Sequence, residues 1–363
     1  MTSKKLVVYS PDSTKGLEQF LEQDIIFVNN LKNTFIKDDS NMNCDCILFL
    51  DSGNDLEYFK LKSLYKNVLG IPRLSKCNQI LFLKQFNINY PESFFSNNNI
   101  FTNNSLANIL KEYNDDKKLV VKIDNGARGL GQMLLSKKDL ILFSNSSNDE
   151  IDVLKEHFKE KNDESGWKLE PMPTKDQNKF GYVEGGKFEN IDKIQKEFDE
   201  NVLHKFKDIK FSNNEFHSFL FNSLFYSRGS KNEIIIQNYI PNRIEYRILW
   251  FYKNDPIVIR REISADNWQA NACGNPENKS YVVSDNIIKF TLKSILDQIN
   301  NLALFLKVPF LSIDVYYDLD TDKYGIFEFQ IEFGWSHTQN LDSRQLNSLI
   351  VSSTKTLIDD NVL

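Results

Sequence analysis

The chain has 363 residues, of which 41% are hydrophobic and 13% aromatic, so it is long enough for two or three domains with a sizeable core. Its formal net charge of -6 and sequence pI of about 5.5 argue against nonspecific nucleic-acid binding, which needs a basic surface. No apolar run reaches the roughly 18 residues of a transmembrane helix, so no membrane partner is predicted.

The N-terminus and the cysteines favour a cytoplasmic protein. The chain enters an apolar strand within its first nine residues, too soon for a signal peptide. The cysteines are too few and too scattered for a disulfide framework, so we interpret them as reduced thiols: Cys44, Cys46, Cys77 and Cys273.

The first 70 residues predict a small α/β unit. Apolar runs at 6–9, 25–28 and 46–50 are typical of strands, and a helix is predicted over 16–23. Strands that alternate with helices indicate a parallel sheet. No G-x-G-x-x-G follows the first strand, so no dinucleotide site is predicted here.

The next element is a helix that Ser75 would cap and that would end near Phe86. Cys77, Ile80, Leu81 and Phe86 lie on or near one face at helical spacing. Lys76 falls in the first turn, where a positive charge is unfavourable for the helix dipole. This lysine is therefore either a solvated side chain or a functional one.

A glycine-rich loop between two strands follows at 119–135. Gly126, Gly129 and Gly131 have G-x-x-G-x-G spacing, which lets backbone N–H groups turn toward an anion. Lys122 leaves the first strand where it could reach the same anion. The order is not that of a Walker A loop, and a hairpin bulge is the alternative explanation for the glycines.

Residues 142–232 are polar and charged and carry no motif that indicates chemistry. Helices are predicted near 149–162, 190–206 and 214–226. Strands are predicted next at 234–236, 244–251 and 256–262, with Glu245 and Arg247 on one strand face, and a helix at about 286–306.

The C-terminal part contains a hairpin with two opposed carboxylates. The runs 312–318 and 325–332 alternate as strands, and turn formers at 319–324 join them. If Thr321 is central, Asp314 faces Glu328 and Ser312 faces Gln330, and the same register pairs Tyr316 with Ile326 and Asp318 with Tyr324.

Asp314, Glu328 and Gln330 would then converge on one patch of one face. Opposed carboxylates repel each other, and a hard divalent cation such as Mg²⁺ offsets that repulsion through oxygen ligands. The alternative is a sheet face on which both carboxylates are simply hydrated.

The order of these motifs resembles the ATP-grasp superfamily, and within it the RimK-like carboxylate–amine ligases. The resemblance spans most of residues 70–335. It rests on Lys76, Lys122 with the glycine loop, Gln237-Asn238-Tyr239-Ile240, Glu245-Tyr246-Arg247, Arg260-Arg261, Asn271, Asp314, and Glu328-x-Gln330 with Gly334.

The resemblance implies an α/β (α+β) architecture: an N-terminal α/β pre-ATP-grasp domain at 1–70 and two α+β subdomains that clamp the nucleotide. The central subdomain would span 71–237 with a long insertion at 142–232, and the C-terminal subdomain with the metal site 238–363. Residues 142–232 match no family pattern.

The resemblance also implies a role for each matching residue. Lys76 and Lys122 would hold phosphates, the loop with Gly126, Arg128, Gly129 and Gly131 would close over the triphosphate, and the backbone of Gln237, Asn238, Tyr239 and Ile240 would read adenine. Arg247, Arg260 or Arg261, and Asn271 would face the γ-phosphate and the acyl phosphate. The implied metal, Mg²⁺ with Mn²⁺ as an alternative, would be held by Asp314, Glu328 and Gln330.

Four positions depart from the family pattern. Gln330 stands where Asn is common, Gly274-Asn275 where Gly-Gly is usual, Phe333 where Pro is usual, and Asn238 where an acidic residue is common. None of these differences removes a charge that catalysis needs.

The implied activity is ATP- and Mg²⁺-dependent ligation of a carboxylate to an amine through an acyl phosphate, with release of ADP and phosphate. The substrates would be amino acids, peptides or protein side chains, and a homo-oligomer is compatible with the sequence. The alternatives are an ATP-dependent phosphotransferase on the same fold and a non-catalytic nucleotide-binding regulator.

Overall fold

The computed structural model describes residues 6–10, 25–29, 46–49, 55–71, 74–96, 105–123, 132–144, 234–263, 268, 279–284, 292–330 and 343–360. The predicted helices at 16–23, 149–162, 190–206 and 214–226 lie outside the described residues.

The described elements are mixed helix and strand, as predicted. The strands in chain order are β1 (Leu6–Ser10), β2 (Ile25–Asn29), β3 (Cys46–Phe49), β4 (Val68–Leu69), β5 (Ser93–Ser96), β6 (Lys118–Ile123), β7 (Gln132–Ser136), β8 (Ile234–Asn238), β9 (Arg243–Phe251), β10 (Asn254–Glu262), β11 (Lys279–Val282), β12 (Phe310–Asp318) and β13 (Lys323–Gln330). The helices are α1 (Asp55–Leu64), α2 (Lys76–Gln85), α3 (Ser105–Ile109), α4 (Lys137–Ser144), α5 (Lys293–Leu306) and α6 (Ser343–Asp359). Among these described helices, none combines the length and the apolar character that crossing a bilayer requires.

The chain divides into two compact units. The first comprises 1–90, 242–264 and 277–363, and the second comprises 91–241 and 265–276. The three-domain division that the sequence suggested stays a prediction.

The first unit contains a parallel sheet in the order β2-β1-β3-β4. Its parallel pairing confirms the parallel sheet that was predicted within the first 70 residues. α2 begins as predicted, because the Ser75 side chain accepts a hydrogen bond from the Asn78 N–H at 3.3 Å. The predicted apolar face of this helix is wrong at Leu81, which is 55% exposed, whereas Cys77 and Ile80 are buried.

A second sheet of the first unit has the order β11-β10-β9-β12-β13 and is antiparallel throughout. Alternate residues of its strands, including Ile248, Ile313 and Phe329, are fully buried in the same apolar cluster as Ile299 and Leu302 of α5. Burying a side chain of this size contributes roughly 1.5–3 kcal/mol. This packing leaves the residues between them, on the other face of the sheet, available for charged groups.

The β12–β13 hairpin has the predicted register only at the end that lies away from the turn. Asp314 pairs with Glu328 and Ser312 with Gln330, as predicted. Nearer the turn the predicted pairs are wrong, because Tyr316 pairs with Gly325 and Asp318 with Lys323. A bulge at Phe327 accounts for the shift, since Val315 pairs with Ile326 and leaves Phe327 as the extra residue.

The second unit is built on an antiparallel sheet in the order β5-β8-β6-β7. β6 and β7 are the two strands predicted on either side of the glycine-rich loop, and β8 is the predicted strand at 234–236. Leu119, Val121, Ile235 and Ile236 are buried, so the backbone of β6 and β8 is held by apolar packing on this sheet.

Candidate active site

One face of the five-stranded sheet carries a row of charged side chains. Arg243, Glu245 and Arg247 alternate along β9 and therefore share a face. In the register of the sheet, Arg247 lies opposite Asp314 of β12, and Glu245 lies opposite Arg261 of β10. Alternation along each strand and pairing between strands bring these charged side chains onto one face of the sheet.

Asp314 is bound by Arg247 through both carboxylate oxygens. Arg247 Nε donates to Oδ1 at 2.8 Å and Nη2 donates to Oδ2 at 2.9 Å. This two-point geometry is the strong form of an arginine–carboxylate pair. Arg247 is buried and Asp314 is half-buried, so the pair is partly shielded from water.

Arg261 lies on the other side of Asp314 and is 4% exposed. Its Nη2 is 3.3 Å from Asp314 Oδ1 but outside hydrogen-bond geometry, so within the described part of the chain this buried nitrogen has no acceptor. Burial lowers the pKa of the Arg261 guanidinium, and the Asp314 charge opposes that effect. A buried donor without an acceptor is costly, and an anionic ligand would satisfy it.

Arg243 and Glu245 form a second pair on the same strand. Arg243 Nε donates to Glu245 Oε1 at 2.6 Å, and the Arg243 guanidinium lies 5.7 Å from the centre of the Phe327 ring. The sequence reasoning placed Glu245 beside Arg247 but missed Arg243. The signal was present, because Arg243 is two residues before Glu245 and so falls on the same strand face.

Lys76 brings a fourth cation to this unit from the first turn of α2. Its Nζ lies 3.8 Å from Glu328 Oε1, and Lys76 is only 8% exposed. The described residues of the row then include the cations Lys76, Arg243, Arg247 and Arg261 and the carboxylates Glu245, Asp314, Asp318 and Glu328, with Asp318 opposite Arg243 in register. We call this group the charge row.

The cations beside Asp314 and Glu328 weaken the argument that carboxylate repulsion requires a metal. Asp314 and Glu328 are opposed as predicted, but Arg247 and Lys76 already offset their repulsion. The described residues contain no group of three or more His, Cys, Asp or Glu side chains with metal-binding geometry.

Mg²⁺ nevertheless fits two carboxylates and the Gln330 amide, because it commonly takes only one or two carboxylates and completes its shell with water and phosphate. Each carboxylate oxygen has two lone pairs, and Arg247 uses one on each oxygen of Asp314. The donor set is therefore suitable when a phosphate ligand contributes as well.

Arg260 lies on the opposite face of the sheet from Arg261. It pairs in register with Tyr246 and Tyr281, and its guanidinium is 5.8 Å from the centre of the Tyr281 ring. Of the two arginines that the sequence left as alternatives, only Arg261 shares a face with Arg247 and Asp314. Arg260 therefore lies apart from this row of charges, and its role at the site stays a prediction.

In the second unit, Lys122 is held by a chain of polar side chains. Its Nζ donates to Gln237 Oε1 at 2.6 Å, Gln237 Nε2 donates to Ser93 Oγ at 2.9 Å, and Ser93 Oγ donates to the Pro91 carbonyl at 2.6 Å. Gln237 is 3% exposed, so it fixes the direction in which the half-buried lysine leaves β6.

Two backbone N–H groups at 237–240 are already used within the unit. Asn238 N–H donates to the Glu92 carbonyl at 2.9 Å, and Tyr239 N–H donates to the Lys118 carbonyl at 3.4 Å. These two N–H groups are therefore not available to donate to adenine in this structure. The adenine contact predicted for the backbone at 237–240 would have to use other groups of that segment.

Glu92 also joins the Asn238 side chain to Tyr113. Its Oε2 accepts hydrogen bonds from Tyr113 Oη at 2.7 Å and from Asn238 Nδ2 at 2.9 Å. Burial and the bond to Glu92 raise the pKa of Tyr113 to about 12, so Tyr113 stays a proton donor at neutral pH.

Five predicted site residues lie outside the described residues: Gly126, Arg128, Gly129, Gly131 and Asn271. Their roles stay predictions.

Comparison with known proteins supplies the remaining observation. No protein-family model and no curated protein matches the chain. Among solved structures, D-alanine–D-alanine ligase from Bacillus anthracis complexed with ATP covers 99% of this chain and 100% of its own, with a TM-score of 0.50 and 10% identity.

D-alanyl-alanine synthetase A from Vibrio cholerae O1 biovar eltor matches with a TM-score of 0.51 and 11% identity, covering 98% of this chain and 99% of its own. The ATP-grasp ligase PsnB complexed with minimal precursor, Mg and ADP matches at 0.48 and 12% identity, covering 98% and 99%. The structural similarity to the first two proteins shows a shared fold. The narrower resemblance to RimK-like ligases stays a prediction.

Proposed function

Since the chain has the ATP-grasp fold, we propose that it is an ATP- and Mg²⁺-dependent ligase that joins a carboxylate to an amine through an acyl phosphate. The observation that carries the proposal is the buried charge row of the first unit. Its buried arginines, and the buried Arg261 nitrogen that lacks an acceptor among the described residues, suit the binding of a phosphoryl group.

The proposed reaction has two steps. A carboxylate oxygen of the first substrate attacks the γ-phosphorus of ATP, the bond from that phosphorus to the β–γ bridging oxygen breaks, and ADP leaves. The amine of the second substrate then attacks the acyl carbon of the acyl phosphate. Inorganic phosphate leaves with the C–O bond electrons, the amine loses a proton, and an amide remains.

In this proposal Arg247 and Arg261 bind and orient the transferring phosphoryl group. Asp314 holds the Arg247 guanidinium by two hydrogen bonds and lies 3.3 Å from Arg261 before the substrate arrives, so little reorganisation is needed when charge develops. Phosphoryl transfer depends on positioning and charge neutralisation more than on a dedicated base. Binding and orienting the phosphoryl group therefore requires no general base among the charged residues of the row.

Asp314, Glu328 and Gln330 would hold Mg²⁺, which neutralises charge on phosphoryl oxygens when bound. Lys76, beside Glu328, would bind phosphate from the α2 side. In the second unit, Lys122 would bind phosphate, with its direction set by Gln237. The backbone at 237–240 would contact adenine through groups other than the N–H groups of Asn238 and Tyr239, which are used within the unit.

The proposed substrates are an amino acid or peptide carboxylate and an amine. The related folds support this class by analogy, since one of them is a D-alanine–D-alanine ligase.

The test is to incubate the purified protein with Mg·ATP, a panel of amino acids and peptides, and hydroxylamine, and to measure ADP and hydroxamate. A ligase yields both, because hydroxylamine traps the acyl phosphate. ADP with a stable phosphorylated product and no hydroxamate would instead indicate the phosphotransferase. No ADP with any acid would contradict an enzymatic role.

The same assay on the Glu328→Gln variant tests the proposed metal ligand. Loss of a charged oxygen ligand should lower ADP formation by about a hundredfold or more, since roughly 1.4 kcal/mol in the barrier is tenfold in rate. Glu112→Gln is the matched control, because Glu112 is 82% exposed at its side chain and pairs only loosely with Lys111. Equal activity in both variants would remove Glu328 from the proposed site.

A further inference from the structure

Gln79 is a buried neutral side chain with a hydrogen bond at each end of its amide. It is 5% exposed. Its Nε2 donates to the Leu74 carbonyl at 3.0 Å, just before α2 begins, and its Oε1 accepts the Phe329 N–H of β13 at 2.9 Å. The side chain therefore ties the start of α2 to a strand 250 residues away in sequence.

Gln79 bonds to β13 on the side of the strand that faces no other described strand. β13 is an edge strand of the described five-stranded sheet, so half of its backbone groups have no strand partner. The Phe329 N–H points to this side and is buried, and a buried N–H needs an acceptor. Gln79 supplies that acceptor.

The same two elements carry Lys76 and Glu328. Gln79 follows Lys76 by three residues, so both lie on one side of α2, and Phe329 directly follows Glu328. The Lys76–Glu328 contact, at 3.8 Å, is longer than a hydrogen-bonded pair and so is not held by its own geometry. The Gln79 bonds are shorter and are better placed to set this distance.

The other end of α2 is attached separately. Asn89 accepts the Ile326 N–H through its backbone carbonyl at 2.8 Å and donates to the Tyr324 carbonyl through Nδ2 at 3.0 Å. The segment that follows α2 would thus stay attached to the edge of β13 even without Gln79. Loss of Gln79 should release mainly the first turn, where Lys76 lies.

We propose that Gln79 is a positioning residue that clamps the first turn of α2 to β13 and so holds the Lys76 ammonium at the Glu328 carboxylate. The inference rests on the proposed function, because Lys76 and Glu328 are assigned there to phosphate and metal. In that setting Gln79 acts on nucleotide affinity through Lys76 and touches no ligand itself.

The first test is ATP affinity by isothermal titration calorimetry at saturating Mg²⁺, in Gln79→Met, Lys76→Met and the double variant. Gln79→Met should weaken ATP binding by about five- to tenfold, within the usual range of coupling between sites. In the Lys76→Met background the same change should have less than about a twofold effect, because the residue it positions is gone. Gln85→Met, on the exposed side of α2, is the matched control and should bind like the parent.

An equal loss of affinity in both backgrounds, or unchanged affinity with only a lower melting temperature, would overturn the proposal and leave Gln79 as a structural residue.

A second measurement needs no nucleotide and separates the two hypotheses. The coupling between Lys76 and Glu328 is measured from urea unfolding of Lys76→Met, Glu328→Gln and the double variant, with and without Gln79→Met. Coupling that disappears when Gln79→Met is present supports the clamp even if the protein does not bind ATP. Coupling that persists contradicts the clamp even if the ligase activity is found.

Discussion

Asp314 is the residue on which the charge row depends, because it is the shared partner of two buried arginines. Arg247 takes both of its oxygens and Arg261 lies 3.3 Å from one of them. A buried guanidinium cannot lose its proton, so it must keep a counter-charge or an acceptor. The carboxylate therefore has a structural role that is independent of any metal.

We expect Asp314→Asn to lower the free energy of unfolding by about 3 kcal/mol. Removing one partner of a buried pair typically costs 3–5 kcal/mol, and the lower end applies because the Asp314 side chain is 19% exposed. Urea unfolding at pH 7 measures the change. Asp255→Asn, at an exposed position of β10, is the control and should stay within about 0.5 kcal/mol of the parent. A similar stability for both variants would mean that the arginines find other partners.

At the scale of the element, the β12–β13 hairpin combines a regular end with a bulged one. The Phe327 ring packs against the Tyr316 ring in a tilted arrangement with ring centres 4.6 Å apart, and the Tyr316 ring lies over Gly325 in the opposite strand. A Cβ at position 325 would overlap the tyrosine ring. Glycine is needed here for the close approach of an aromatic side chain.

We expect Gly325→Ala to destabilise the protein by about 1–3 kcal/mol, the usual cost of overpacking. The cost should largely disappear when Tyr316→Val is present, because the overlapping ring is removed. A double-mutant cycle from urea unfolding measures this non-additivity. Additive effects of the two changes would place the strain elsewhere than at the tyrosine ring.

At the scale of the whole molecule, each unit carries part of the proposed nucleotide chemistry. The first unit has the charge row, and the second has Lys122 on β6 and the backbone at 237–240. A ligand that binds only the folded chain stabilises it by RT ln(1 + [L]/Kd), which is about 2.7 kcal/mol at a hundredfold excess over Kd.

Mg·ATP should therefore raise the melting temperature in a concentration-dependent way, as followed by differential scanning calorimetry. Lys122→Ala should reduce that rise while the apo protein stays folded, because the lysine is half-buried and lies at the end of a polar chain rather than in the core. Lys138→Ala, at an exposed position in α4, should behave like the parent. No shift at millimolar Mg·ATP would contradict nucleotide binding altogether.

Local patterning alone predicted several strands and the pairing of Asp314 with Glu328. Strand alternation and turn composition are local properties, so they predicted β6, β7, β8 and the far end of the β12–β13 hairpin correctly. The order of motifs also predicted the ATP-grasp fold, which the solved ligase structures confirm.

The pairing of the charged side chains with one another depends on contacts between distant segments of the chain. The bulge at Phe327 accompanies a ring contact with Tyr316 of the opposite strand, and local patterning does not encode it. The choice of Arg261 over Arg260 depends on the register of β10 against β9 and β12, and Gln79 reaches β13 across 250 residues. Such contacts join segments far apart in the chain, so their geometry is fixed by packing and by the need to satisfy buried charges and N–H groups.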